Sequence, residues 1–251
     1  YSEDMAALLL LLEREGYYPH VARLNAGCYG TVMRRIRTFI LARRSPWADV
    51  RSERGVRWIC DTPLIGVNNQ QGGASWCVQP SVTKKSGTYS LMVTPHEVRT
   101  LTPEAVETLF GFPDGWTEAA GSTSDRYARL GNSVVVGAAT AALKLLLEGS
   151  THVHGPSFSY ADLYSFTVPA GGGAAGSAFG RFARTLSRAG RSPNTNRLEL
   201  EYAAPVYARW MREHPEKVPE RMWEYLEEVE GLLPPAKAWP DRVEVVMEQG
   251  G

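Results

Sequence analysis

Arg35 and Arg37 stand two apart in "MRRIRTFILARR" (33–44). In a strand, alternate residues point the same way, so these two cations share a face. Paired cations suit the negative charge of a bound polyanion. A second candidate is Gly131-Asn132-Ser133, a small polar triplet set before a run of valines. At a helix start the free N–H groups point outward, and an amide and a hydroxyl there can hydrogen-bond a polar ligand. Gly131 would let another backbone come close. A third is "QPSVTKK" (79–85), where Ser81, Thr83, Lys84 and Lys85 offer hydroxyls and amines to phosphate. Asn68, Asn69, Gln70 and Gln71 carry amides of the kind that read base edges. Each has a plainer reading beside it: a solvated arginine face, a helix cap, a polar loop.

The elements that position these groups follow from pattern. Ser2 to Glu15 reads as a helix with Ser2 as cap, Glu3 and Asp4 in its first turn and Gly16 as its stop. Its leucine run, Leu8 to Leu12, is apolar nearly all round, which predicts a well-buried helix. Tyr17–Leu24 and Arg37–Ala42 read as strands, with a turn at Asn25-Ala26-Gly27 between them. From Ser45 to about Thr94 helical periodicity is lost and Gly, Asn, Gln, Ser and Thr rise, as in a small loop-rich β subdomain. Thr102-Pro103 starts another helix, and Phe112-Pro113-Asp114-Gly115 is a turn. Asn132 to about Glu148 reads as a long apolar helix. Phe179–Ala189 and Ala204–Glu213 read as helices, and Pro219–Leu232 as an acidic amphipathic one. The lone glycine pattern at 171–176 is weak evidence of a nucleotide loop.

The chain has 251 residues, is 43% hydrophobic and 22% charged, and has no formal net charge. That is the composition of a globular protein of one large or two modest domains. Eight arginines between 34 and 57 face only Asp49 and Glu53, a stripe that suits DNA. From Met211 to Gly251 acids outnumber bases ten to five, which argues against DNA contact there. Three cysteines make no disulfide framework, so a reducing, cytoplasmic setting is expected. No apolar run is long enough without charge to predict a membrane span. The start at Tyr1, without Met, is expected of a fragment or a trimmed chain.

Three stretches taken together resemble the last three conserved blocks of the C5-cytosine DNA methyltransferases, in that family's order: "LNAGCYGTVMRRIRTFILARR" (24–44), "RTLTPEAVETLFGFPDGWT" (99–117) and "STSDRYARLGNSVVV" (122–136). The resemblance covers about residues 3–148. It implies an α/β fold: the C-terminal part of a Rossmann-like, S-adenosylmethionine-dependent methyltransferase domain. A small loop-rich β target-recognition subdomain and a mostly helical C-terminal extension complete it. The boundaries expected are 1–45 for the end of the catalytic domain, 46–98 for target recognition, 99–150 for the return segment and helix, and 151–251 for the extension.

By resemblance, Arg37 donates to the carbonyl oxygen of a flipped cytosine and Arg35 supports it. A thiolate adds to C6, a methyl group passes from S-adenosylmethionine to C5, and elimination follows. Asn132, Ser133 and Val134 line the cofactor pocket. Ser81, Thr83, Lys84, Lys85 and Arg99 fall on the DNA side, with Arg99 also tying loop backbone together. Phe110 and Phe112 pack in the core. The partner is double-stranded DNA, in a bacterial or phage-infected cell and a restriction-modification setting. No membrane and no metal are implied.

The chain departs from the family in two ways. Val32 and Met33 replace its Pro and Gln. The glycine-rich cofactor loop, the Pro-Cys nucleophile and a Glu-Asn-Val are absent, and none of Cys28, Cys60 and Cys77 follows a proline. All three cysteines therefore read as structural. The expectation is a part or subunit of a DNA (cytosine-5-)-methyltransferase, inactive alone, whose thiolate comes from a second chain or upstream segment. A catalytically inactive DNA-recognition or regulatory relative of the same fold, and an RNA cytosine methyltransferase, are the alternatives.

Overall fold

The computed structural model describes residues 2–29, 31, 35–47, 59–60, 91–94, 96–149, 164–171, 204–230 and 243–244. Helix α1 (Glu3–Arg14) is capped by the Ser2 side chain, which accepts from the Met5 amide. It leads into an antiparallel hairpin, β1 (Tyr18–Asn25) and β2 (Ile36–Arg43), in register from Tyr18↔Arg43 to Asn25↔Ile36. One hairpin face carries Ala22, Leu24, Phe39 and Leu41. Ala22, Leu24 and Leu41 are buried there and Phe39 is packed against the core. The expectation for α1 fails, since none of its residues is buried and Leu8, Leu10 and Leu11 stay 42%, 65% and 52% exposed. An all-leucine surface states what a helix would gain by burial, not whether a neighbour is present to cover it.

Strand β3 (Ile59–Cys60) pairs with β7 (Val243–Glu244), two segments far apart in the chain. Strands β4 (Leu91–Val93), β5 (Val98–Leu101) and β6 (Thr167–Pro169) form a second antiparallel sheet in that order. Its third strand comes from beyond residue 150. All pairings among the described strands are antiparallel.

Helix α2 (Pro103–Phe110) starts as its sequence dictates, with Thr102 as cap and Pro103 at the first position, and ends on Gly111 at φ +77°. Two further helices follow, α3 (Thr123–Asn132) and α4 (Val136–Glu148). Residues 123–148 are long and apolar enough to cross a membrane by length and composition. They are nevertheless broken at Ser133–Val135, and Ala138, Ala141, Ala142 and Leu145 bury in the core. The core joins the hairpin face to Met92, Leu101, Leu109, Phe110, Tyr127, Leu130 and these α4 residues. In the C-terminal region lie α5 (Ala204–Glu213) and α6 (Arg221–Glu230), close to the expected ranges. The expected helix at 179–189 and the glycines at 172–176 lie outside the described residues.

Helix α4 crosses the hairpin at Gly137. A Cβ built there would stand 1.7 Å from the Tyr29 carbonyl oxygen. The close backbone approach expected at Gly131 thus has its clear case six residues later. Gly137→Ala should destabilise the fold by about 3 kcal/mol or more, because both backbones must shift. Gly149→Ala should cost about 1 kcal/mol, since Gly149 has φ +71° and open space around its Cβ position. Thermal melts of the two variants check the ranking.

Candidate functional site

Arg35 precedes β2 and is 3% exposed. Its Nη2 donates to the Gly131 carbonyl at 2.8 Å and to the Ser133 carbonyl at 2.7 Å. Its guanidinium also lies over the Phe110 ring, 5.3 Å from the centroid. One side chain therefore joins all three sequence blocks. A planar fork with fixed donors suits this task, whereas an ammonium is a point charge. Arg37, inside the strand, is exposed, and its Nη1 donates to the Ile36 carbonyl at 2.9 Å. The shared face expected of the two arginines is not observed. The strand begins only at Ile36, so the period-two rule does not extend back to Arg35.

The loop between the strands is built to deliver Arg35. Asn25 Oδ1 accepts from the Gly27 amide, a 3-10 turn spans Ala26–Cys28, and the Ala26 amide donates to the Arg35 carbonyl at 2.9 Å. Cys28 lies buried in this turn. Burial pushes its thiol pKa up, the opposite of what a nucleophile needs.

The triplet Gly131-Asn132-Ser133 is not the start of a helix. Asn132 ends α3, and Ser133 caps that end: its Oγ donates to the Leu130 carbonyl at 2.7 Å and its amide to the same oxygen at 3.0 Å. Helix α4 starts three residues later with Val135 as its N-cap, which supplies no side-chain bond. The helix expected from Asn132 therefore starts at Val136 instead, because Arg35 takes the carbonyls of Gly131 and Ser133 and marks a bend, an elbow, between two helices. Asn132 is exposed and Ser133 half-buried, and both line an open cleft of about 640 Å³ with Phe112, Trp116, Leu130 and Arg129. Val134 is 40% exposed and is not part of that lining.

The cleft's other wall is the turn after α2, set by Glu107, which is fully buried. Its carboxylate accepts from the Gly115 and Thr117 amides at 2.8 Å each, from the Thr117 hydroxyl, and from Arg126 Nη2 at 2.9 Å. Arg126 also pairs with Glu104 at 2.5 Å and donates to Thr117 Oγ1 at 3.0 Å. Burial would raise the carboxyl pKa values of Glu104 and Glu107. Hydrogen bonds outweigh it and hold both below the usual range, from Thr117 and Arg126 on Glu107 and from Thr102 and Arg126 on Glu104. Tyr127, whose hydroxyl donates to the Leu101 carbonyl at 2.5 Å, has its pKa pushed up to about 12, chiefly by burial. Sequence pattern alone does not single out Glu107 or Arg126. The available signal was one acid on a helix face otherwise made of Ala105, Val106, Leu109 and Phe110. Phe110 packs in the core as expected, and Phe112 packs against it while lining the cleft.

Arg99 is a clamp. It donates through Nε to Thr167 Oγ1 at 2.5 Å and through Nη2 to the Thr167 carbonyl at 2.7 Å. Its Nη1 reaches Glu97 at 2.9 Å and the Tyr164 hydroxyl at 3.1 Å, and the guanidinium lies 4.1 Å from the Tyr164 ring centroid. The backbone it holds is that of strand β6, where the sequence pattern leads one to expect a loop. Four of its five donors are held inside the protein, so its placement supplies no argument for DNA contact. Ser81, Thr83, Lys84 and Lys85, with the amides at 68–71, lie outside the described residues.

Residues 50–148 match the family model of the C-5 cytosine-specific DNA methylases. The methylase match takes in the Glu107 turn, both elbow helices and the cleft, and starts beyond β2. Arg35 and Arg37 therefore lie outside it. A solved methyltransferase structure from Entamoeba histolytica is similar at 18% identity and a TM-score of 0.45, covering 58% of each chain. The chain thus spans a little over half the length of that structure. No curated protein matches it.

Two outcomes follow from this geometry. Arg35→Lys should cost about 2 kcal/mol and speed amide exchange across 131–139, because one ammonium cannot hold both carbonyls and stack on Phe110. Hydrogen exchange read by mass spectrometry checks it. Glu107 is lowered in the fold, so its contribution is full above the ordinary carboxylate range and is lost as pH falls through its depressed value. The stability gap between wild type and Glu107→Gln should be about 2–3 kcal/mol at neutral pH and close progressively below about pH 4. Urea unfolding at several pH values measures it.

Proposed function

We propose that the chain is a part or subunit of a DNA (cytosine-5-)-methyltransferase that uses S-adenosylmethionine and acts on a flipped cytosine. The reading is supported above all by one observation: the elbow presenting Asn132 and Ser133 at the cleft lies inside the methylase match and is bound by Arg35, next to Arg37. The cleft suits the cofactor in size, and it combines aromatic and apolar walls with amide, hydroxyl and guanidinium groups. When bound, S-adenosylmethionine would supply the methyl group. Asn132 and Ser133 would hold its polar parts, with Arg35 as a positioning residue behind them. Arg37, exposed at the same end of the hairpin, would donate to the cytosine carbonyl oxygen and stabilise the negative charge that addition at C6 puts on the ring.

Cys28 is buried with a raised pKa, and the sequence holds no Pro-Cys. The thiolate is therefore assigned to a second chain or an upstream segment. DNA contact is assigned to the region around Ser81, Thr83, Lys84 and Lys85.

The test is transfer of labelled methyl to C5 of cytosine in duplex DNA, by the chain alone and by the chain joined to the segment that supplies the thiolate. The chain alone should be inactive and the joined enzyme active. Arg37→Ala in the joined enzyme should lower the rate about 100-fold or more while DNA is still bound. Full activity of the isolated chain would refute the shared site. A joined enzyme that binds DNA but never transfers methyl would mark an inactive relative, and preference for RNA over DNA would reassign the substrate.

A further inference from the structure

Strand β2 has β1 on one edge and, among the described residues, no strand on the other. Which groups point outward follows from the ladder. The Ala26 amide donates to the Arg35 carbonyl at 2.9 Å, so these two facing residues are a hydrogen-bonded pair. Bonded pairs alternate along an antiparallel ladder. Leu24–Arg37, Ala22–Phe39, His20–Leu41 and Tyr18–Arg43 are therefore bonded inward, and the main-chain groups of Ile36, Thr38, Ile40 and Ala42 point away from β1. The Arg37 guanidinium takes the Ile36 carbonyl. Thr38, Ile40 and Ala42 present theirs on an open edge.

The two edges of the hairpin are not alike. The outward positions of β1 are Pro19, Val21, Arg23 and Asn25. Pro19 has no N–H to offer and Arg23 is exposed and charged, two devices that keep an edge strand from pairing. Strand β2 has neither: between Arg37 and Arg43 it reads Thr-Phe-Ile-Leu-Ala, without proline or charge. Such an edge is a template for another strand. The helices that pack on the hairpin carry apolar surface as well: Leu10 of α1 and Leu143 and Leu147 of α4 are 65%, 57% and 76% exposed.

We propose that the outer edge of β2 is where the segment supplying the thiolate docks, by adding a β-strand to the hairpin. Position argues for that occupant. Arg37 stands at the head of β2, and neighbouring strands lie about 4.8 Å apart, so a strand on this edge can end beside Arg37. A thiolate that attacks the ring held by Arg37 must come from that close. A strand on the β1 edge would lie two strand spacings from Arg37 instead of one. This rests on the enzyme reading above and adds the surface on which its two parts meet.

The experiment mixes this chain with the thiolate-supplying segment, the two produced separately. Proline at an outward position breaks no bond between β1 and β2, so Thr38→Pro and Ile40→Pro keep the hairpin's own ladder, and circular dichroism checks their fold. Each should weaken association at least about tenfold, whereas Val21→Pro, on the other edge, should stay within about threefold of the parent. Amide exchange read by NMR gives a second measure on the parent chain. The amides of Thr38, Ile40 and Ala42 should exchange fast in the chain alone and at least about tenfold slower with the segment, while those of Phe39 and Leu41 are slow in both. If the segment binds with those three amides still fast, and both β2 proline variants bind like the parent, this inference falls and the enzyme reading stands. If the amides slow but the joined enzyme transfers no methyl, the docking edge stands and the enzyme reading falls. Failure of the two parts to associate at about 10 μM overturns the inference even where the joined enzyme is active.

Discussion

The Arg35 guanidinium sits where three parts of the chain meet, and the candidate site depends on it. It leaves the end of the hairpin loop, lies on the Phe110 ring and holds two carbonyls at the junction of α3 and α4. A buried cation must have its hydration replaced, and the surroundings supply two short hydrogen bonds and an aromatic face. The junction is a poor place for a helix to continue once Gly131 and Ser133 point their carbonyls at a fixed guanidinium. The bend in turn lets α4 cross Tyr29 at Gly137, where any side chain would collide with backbone. The arginine and the glycine are thus two halves of one packing solution.

Glu107 plays the matching part on the opposite wall. It gathers two loop amides, a hydroxyl and the Arg126 guanidinium around one buried carboxylate. These bonds turn a sequence that would otherwise be an ordinary Pro-Asp-Gly turn into a rigid wall, with Phe112 and Trp116 stacked on it. Because Arg126 belongs to α3, the same network ties that wall to the helix ending at Asn132. The cleft is therefore bounded on both sides by buried charges, one on the hairpin loop and one on α2.

Among the described residues, the region beyond residue 150 is tied to this frame by strand pairing and by α5, which packs against β5. β6 completes the sheet with β4 and β5, held by the Arg99 clamp, and β7 pairs with β3. A separate appendage would leave Arg99 without Thr167 and Tyr164. Meanwhile the leucines of α1 remain in water, although their composition alone argued for burial.

Local patterns were read from sequence with little loss. The Ser2 cap, Thr102-Pro103 and the helix at 204–213 depend on interactions within a few residues, which the sequence itself contains, and the hairpin strands on a simple alternation either side of one turn. The motif order also carried the methylase resemblance in the segments 99–117 and 122–136. Tertiary structure alone decided where the apolar helix breaks, which arginine is buried, that Glu107 is a hub and that Phe112 and Trp116 face a cleft. Each of those depends on groups far apart in the chain: Arg35 meets Gly131 across 96 residues, and Arg99 meets Thr167 across 68. Periodicity within a segment carries no information about a partner that distant, so pattern alone gives a helix start where the structure has an elbow held by a guanidinium.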